Sequence, residues 1–554
     1  MRVDALTAAA KAHFDAGRFE DALRLIQAAA SAEQNSPQLW SNCGTILVAL
    51  HRFAEAEDSF SRALSLAPDF AGALQNRAQV RMRLHRYQDA ARDYEALLAR
   101  NPGIPFAQGS LLRAKLQACD WEGLPEHWTR ADEELRAGKP VLTAIAATAL
   151  CETPEDQLRA SRTLAQTRFP PRPPLWKGER YRHDRIRIAY VSADFHAHAT
   201  TILAAGLFES HDREKFETFA VSFGPNDHSA MRTRVERAFE HFFSVAGKSD
   251  MEIAQLLRQN EIDIAVDLKG FTDDSRPGIF ASRPAPLQVN YLGFPATMGA
   301  PYIDYIIADA VTIPPEDQLF YSEKVVYLPD TYQPNDRGRE HPEVTTTRTE
   351  AGLPENGFVF CCFNNVYKIT ATVFDVWMRL VRDVPGSVLW LLEDNETAMR
   401  NLKREAEKRG VTPERLIFAP RVAPDAHLAR HCFADLFVDT APYNAHTTAS
   451  DALWMGLPLV TRAGRTFPSR VAASLLYAAG APELVTHSLP AYETLALSLA
   501  REPERLRALK AKLEKARDTA PLFDTLRYTR NLERAFVTMW ERQQRGETAE
   551  SFAV

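Results

Sequence analysis

The chain has 554 residues, room for three or more domains, and its 45% hydrophobic content suits packed globular cores. A net charge of −6 supplies no large basic field, so neither nucleic acid nor an anionic membrane surface is an expected partner. No apolar run reaches the roughly 18 residues of a membrane span, and the six cysteines, at 43, 119, 151, 361, 362 and 432, have neither disulfide nor zinc spacing.

The amino end, Met1-Arg2-Val3-Asp4, leads into helical patterning with no apolar leader or cleavage signal, so a cytoplasmic protein is expected. Arg18-Phe19 with Ala22 recurs as Arg52-Phe53 with Ala56 and as Arg86-Tyr87 with Ala90, each set 34 residues after the last. The middle copy is fullest, with Trp40, Gly44, Ala56, Phe60, Ala63 and Pro68. This is the pattern of a tetratricopeptide repeat, expected over 1–103 as an α-helical solenoid. Its small residues let two helices touch while bulky ones fill between hairpins. Stacked hairpins leave a concave groove suited to peptides. Asn42 and Asn76 hold the same place in successive repeats, where Ala8 stands in the first. They read either as rungs that bind a peptide backbone or as plain solvated amides.

Helical patterning continues through 111–118 and 126–135 to about 167, so 104–180 reads as a degenerate extension of the solenoid. It closes on a proline-rich stretch, 168–175, expected to be a stiff linker. After Tyr181 the period changes. Apolar, β-branched runs at 186–191, 219–223, 262–268, 289–292, 305–307 and 325–328 alternate with helical stretches such as 229–239 and 250–259. A polar, irregular 330–350 reads as a hinge. A second series follows, with strands at 358–363, 388–392, 416–418, 436–438 and 457–461 and helices at 371–384 and 397–409. Alternation of this kind predicts two Rossmann-like α/β lobes, 181–350 and 351–545, with a cleft at the carboxyl ends of their strands. No G-x-G-x-x-G, Walker or D-x-D sequence is present, which argues against dinucleotide oxidoreductases, P-loop NTPases and metal-dependent single-lobe transferases. Two lobes without a metal motif suit a nucleotide-sugar transferase.

The sharpest chemical signal is Tyr443-Asn-Ala-His-Thr-Thr-Ala-Ser-Asp451, between a strand end and an apolar helix. Hydroxyls and free amides at a helix start form an anion site suited to a diphosphate, and Asp451 could accept from ribose hydroxyls. A simple N-cap would explain one hydroxyl of Thr447-Thr448 but not the run from His446. Asn364-Asn-Val-Tyr-Lys368 follows the strand 358–363, which places Lys368 to neutralise a leaving diphosphate unless it is a surface lysine. In the first lobe, His196 and His198 follow the strand 186–191 and read as base, substrate contact or polar loop. His241, among apolar residues, reads as structural.

Through these segments the chain resembles the O-linked N-acetylglucosamine transferase family, tetratricopeptide-armed enzymes that glycosylate serine and threonine. The resemblance rests on 188–195 with His198, on Arg283-Pro-Ala-Pro-Leu-Gln288 running to Gly293-Phe-Pro-Ala-Thr-Met-Gly299, and on 363–368. It continues through 387–392, His446-Thr-Thr448, 469–474 and 521–525. It implies a two-lobe GT-B fold and an inverting, metal-independent transfer from UDP-N-acetylglucosamine, with no cofactor and with protein acceptors held in the repeat groove. It implies that Lys368, His446, Thr447 and Thr448 meet the diphosphate, that Asp451 meets the ribose, and that His427 packs beside the uracil. Asn365, Tyr367, Ala423, Asp425 and Arg430 complete the implied donor set. His198 matches a histidine proposed as general base, and His241 a second candidate. Three departures stand out: Asn365 replaces a glutamine, the loop 421–427 is one residue shorter than in the animal enzymes, and the arm has three clear repeats. They imply a cramped acceptor groove and weaker action on animal-type substrates. A Spindly-like protein O-fucosyltransferase using GDP-fucose, or a non-catalytic scaffold that senses sugar nucleotide, are the alternative readings.

Overall fold

The computed structural model describes residues 3–554; Met1 and Arg2, part of the start read above, lie outside the described residues. The chain divides into two compact units, Met1–Leu142 with Asn395–Leu402, and Thr143–Asp394 with Lys403–Val554.

The first unit opens on helical hairpins: Val3–Asp15 with Phe19–Ala32, Pro37–Ala49 with Phe53–Leu66, and Ala71–Arg83 with Tyr87–Arg100. The period also appears in the backbone. Gly17, His51 and His85 all have positive φ. The amides of Arg18, Arg52 and Arg86, one residue on, close back to the carbonyls of His13, Leu47 and Arg81 at 2.8–2.9 Å. This left-handed stop, with its reach back across the last turn, reverses the chain after each first helix. Gly44 is needed for packing, since a Cβ there would lie 2.7 Å from the Phe60 ring. Buried Glu57 and Asp93 lock the second hairpin to the third, each bound by Arg81 at 2.7–2.8 Å. Helices Ala107–Gln117 and Leu124–Arg136 continue the unit.

The second unit holds two wholly parallel sheets. The first lobe is built on β1 (Ile186–Ser192), β2 (Phe216–Ser222), β3 (His241–Ser244), β4 (Ile264–Asp267), β5 (Leu287–Asn290), β6 (Tyr305–Asp309) and β7 (Lys324–Leu328). The second is built on β8 (Val359–Cys362), β9 (Val388–Leu392), β10 (Leu416–Ala419), β11 (Leu436–Val438), β12 (Leu459–Arg462) and β13 (Val485–Thr486). β14 (Phe552–Ala553) returns to the first. The strand orders are β14-β7-β6-β5-β4-β1-β2-β3 and β10-β9-β8-β11-β12-β13. Strands buried on both faces explain why their sequences are continuous apolar runs instead of alternating ones. In each sheet the order reverses at one place, between β1 and β4 and between β8 and β11. A crevice forms outside the carboxyl ends of the strands at such a point.

Three expectations change. The proline-rich stretch, expected as a stiff linker, is instead bound along the first lobe, because the amides of Arg172, Leu175 and Trp176 bond the carbonyls of Ala281, Ser282 and Arg283 at 2.8–3.0 Å. Proline removes donors, but the remaining amides lie flat along the first lobe. The hinge within 330–350 is in part a buried strap. Thr331–Asp336 are buried, and Gln333 Nε2 donates to Ser450 Oγ of the second lobe at 2.7 Å. Finally, the terminal helix Thr525–Arg545 belongs by packing to the first lobe. Tyr528, Leu532, Phe536 and Met539 enter the core formed by Ile188, Tyr190, Phe208 and Val266.

Candidate active site

At the second-lobe switch point, β8 runs into Asn364 and a short turn, Val366–Lys368, while β11 runs into Asp439 and the helix Thr447–Trp454. Asp439, fully buried, ties the two together. Its carboxylate accepts from the Thr440 and Ala445 amides at 2.7 Å, from Thr461 Oγ1 at 2.6 Å and from Asn364 Nδ2 at 3.2 Å. Asn364 in turn accepts from the Thr448 hydroxyl through its Oδ1. Lys368 is thereby fixed in place. Its Nζ donates to Asn444 O at 2.9 Å and sits 3.9 Å over the Tyr443 ring. Burial holds its pKa below the ordinary lysine value, to about 8, against the pull of Asp439. His446 caps the helix by position, and its Nε2 meets Pro468 O at 3.2 Å. Desolvation, with Lys368 beside it, keeps the ring neutral. An ammonium, threonine hydroxyls and helix-start amides lie together here, chemistry suited to an anion.

The remaining second-lobe candidates fall into two groups. Asp451 is buried one turn into the helix, but its Oδ1 is held by Arg339 at 2.6 Å, a partner from the inter-lobe segment that sequence reading missed. His427 stands edge-on to Phe363 and His431, 5.3 and 5.2 Å between ring centres, and burial lowers its pKa to about 3. His431, also missed, is fully buried and donates from Nδ1 to His427 O at 2.9 Å, fixing the helix that carries His427. Arg430 donates to Pro420 O at 2.9 Å and Tyr367 stands edge-on to Tyr443. Asn365, Ala423 and Asp425 are exposed, the last two at the start of the short helix Pro424–Ala429.

In the first lobe, β1 ends on the loop carrying Asp194, His196 and His198, and β4 ends at Asp267 with Lys269 just beyond. His198 is the N-cap of the helix Ala199–Glu209, and its Nδ1 accepts from the Thr200 amide at 3.3 Å. Lys269 Nζ donates to both oxygens of buried Asp194, at 2.9 and 3.0 Å. His241 is not part of this site. It starts edge strand β3, beside Phe219 of β2, stacks on that ring at 4.4 Å and meets Glu217 Oε1 at 2.9 Å. The crevice lies at the other end of the strands, so His241 is withdrawn as a catalytic candidate. No group of three or more His, Cys, Asp or Glu able to hold a metal ion occurs among the described residues.

In the first unit, a groove of about 730 Å³ is lined by Phe14, Gln38, Asn42 and Thr45 among others. Asn42 Oδ1 accepts from Gln38 Nε2 at 2.9 Å, and Asn76 is half-buried one repeat on.

Two parallel α/β lobes, each presenting polar side chains at its switch point, define the two-lobe GT-B class of glycosyltransferases. The chain belongs to Glycosyl transferase family 41, whose profile matches residues 172–339 and 333–532, and a Tetratricopeptide repeat profile matches 7–70 and 76–118. The Arabidopsis thaliana protein named "Probable UDP-N-acetylglucosamine–peptide N-acetylglucosaminyltransferase SEC" is 38% identical over 376 residues, 67% of this chain and 38% of that protein. The Caenorhabditis elegans UDP-N-acetylglucosamine–peptide N-acetylglucosaminyltransferase is 29% identical over 474 residues, 65% of this chain and 41% of that protein. A solved mutant of Thermobaculum terrenum O-GlcNAc transferase superposes with a TM-score of 0.71 at 25% identity, covering 98% of each chain. The chain thus spans about 40% of the length of these two sequence relatives. No helix among the described residues is long and apolar enough to cross a membrane.

Proposed function

We propose that this chain is an inverting, metal-independent transferase that moves N-acetylglucosamine from its UDP donor to serine or threonine hydroxyls of protein acceptors. The observation that carries the reading is the buried ammonium of Lys368, held beside the start of the helix Thr447–Trp454. The acceptor oxygen attacks the anomeric carbon as the bond to the diphosphate breaks, and the electron pair leaves with UDP. Lys368, the threonine hydroxyls and the helix start meet that charge in a site already organised for it. The acceptor's proton passes to a phosphate oxygen of the departing nucleotide. Asp451, once released by Arg339, and His427 serve the ribose and the uracil, and the repeat groove lined by Asn42, with Asn76 one repeat on, holds the acceptor chain. No disulfide forms among the described residues, which suits a reducing compartment, and we assign the protein to the cytoplasm.

Calorimetry with UDP, UDP-N-acetylglucosamine, GDP and GDP-fucose, followed by transfer of labelled sugar to protein acceptors with and without a chelator, tests this reading. Tight UDP binding and chelator-resistant transfer are expected. A preference for GDP moves the protein to fucose transfer. Donor binding with neither transfer nor hydrolysis leaves a sensor.

A further inference from the structure

At the first-lobe switch point a lysine, an aspartate and a histidine stand in line, and the transfer just proposed gives the lysine no task. Lys269 Nζ takes both oxygens of Asp194, at 2.9 and 3.0 Å, and both side chains are buried. Asp194 Oδ2 lies 3.5 Å from His198 Nδ1. That nitrogen already accepts from the Thr200 amide at 3.3 Å. A ring nitrogen that accepts carries no hydrogen, so the proton of the neutral imidazole resides on Nε2.

The opposite arrangement is the one a bare carboxylate favours. A buried, unpaired aspartate at that distance draws a proton onto the near nitrogen of the ring, leaving the far one free to act as a base. Here the ammonium removes the reason for that shift. Two further contacts hold the pair in register. Asp267 Oδ1 accepts from the Lys269 and Gly270 amides at 2.9 Å, fixing the lysine's loop. Asp227, from the loop after β2, accepts from the Ala197 amide at 3.0 Å and stands 3.8 Å from His196 Nδ1, fixing the histidine's loop. Burial lowers the pKa of His198, Asp194 opposes that, and Lys269 and His196 reinforce it.

We propose that Lys269 is a positioning residue that neutralises Asp194 and so keeps His198 in the tautomer with hydrogen on Nε2. The ring then offers the bound nucleotide sugar a hydrogen-bond donor and offers the acceptor hydroxyl no base. The second half of this statement rests on the transfer reading above; the first half does not.

The test is nitrogen NMR of the full chain labelled in histidine, with His198→Gln to assign the signal, on wild type, Lys269→Met, Lys269→Arg and the Lys269→Met/Asp194→Asn pair. The nucleotide-free wild type should show a pyridine-type Nδ1 and a pyrrole-type Nε2. Lys269→Met should exchange the two or raise the ring's titration midpoint, whereas Lys269→Arg and the double variant should restore the wild-type pattern. In turnover, Lys269→Met should lower kcat about tenfold, the worth of one hydrogen bond to a charged group, with KM for the nucleotide sugar within about twofold. UDP affinity, set in the other lobe, reports that the variant is folded. A wild type protonated on Nδ1, or a Lys269→Met ring unchanged in tautomer and midpoint, overturns the proposal. The wild-type spectrum decides the tautomer even where the lysine variant fails to fold. An exchanged tautomer with unchanged kcat overturns the role in turnover. The expected spectra in a chain that transfers no sugar would remove the transfer reading and leave the tautomer assignment standing.

Discussion

Lys368 is the residue on which most of the proposed chemistry converges, and its environment makes two predictions. Replacing it by alanine removes a preorganised cation from the departing diphosphate, a loss of about 3 kcal/mol and so more than a hundredfold in kcat. Kinetics that fell only through KM would assign it to uniform binding instead. Burial lowers its pKa to about 8, so the side chain is charged below that pH and neutral above it. A diphosphate prefers the charged form. Binding should therefore take up a proton near pH 8, and UDP affinity should fall as pH rises through that value. Calorimetry in buffers of different ionisation enthalpy reads the uptake directly, and a flat response would remove Lys368 from the diphosphate site. The residues that point into the site were largely legible in sequence, because His446–Thr448, Lys368 and His198 follow apolar strands directly. Their partners were not. Asn364 reaches Asp439 75 residues away, Lys269 reaches Asp194 across 75 residues, and Arg339 reaches Asp451 across 112. Those pairs are made by strand order, which no local pattern carries. His241 failed for a related reason: its four-residue strand β3 carries no periodicity, so its place on the sheet's edge did not show in the sequence.

Elements with a strong period were read well. The 34-residue repeat placed the first three hairpins of the arm, though not the helices Ala107–Gln117 and Leu124–Arg136 that continue it, and the β-branched runs located the long strands of both lobes. The short edge strands β3, β13 and β14, of four, two and two residues, carry too few side chains for any periodicity to show. The repeats also contain a correctable strain. His51 and His85 hold the left-handed turn at φ 58°, where the first repeat has Gly17. A side chain in that region costs about 1 kcal/mol, so His51→Gly and His85→Gly should each stabilise the first unit by about that amount. Urea unfolding of the full chain, followed by Trp40 fluorescence, would show it as a rise in midpoint at constant slope. Gly44→Ala should act in the other direction, since its methyl meets the Phe60 ring at 2.7 Å.

At the scale of the molecule, chain order and packing order part company in the second unit. The amphipathic pattern of the terminal helix announces a buried face without saying which lobe receives it. The structure assigns it to the first, where Phe536 is fully buried. Phe536→Ala should therefore cost about 3–5 kcal/mol and lower the Tm of the lobe that stands before it in sequence, which thermal unfolding with and without UDP would separate from damage to the nucleotide site. The same disagreement recurs at the unit's other end. The helix Pro154–Arg168 reads in sequence as a tail of the solenoid, yet it is part of the second unit. Gly299 packs on it so tightly that a Cβ would stand 2.4 Å from the Arg162 amide. That glycine closes the loop 293–299 beyond β5, at the crevice end of the sheet. A protease or a gene rearrangement that severed the chain where its composition turns proline-rich would leave that loop without a floor. An excision point chosen by composition cuts into the second unit, whereas one chosen upstream of Thr143 spares it.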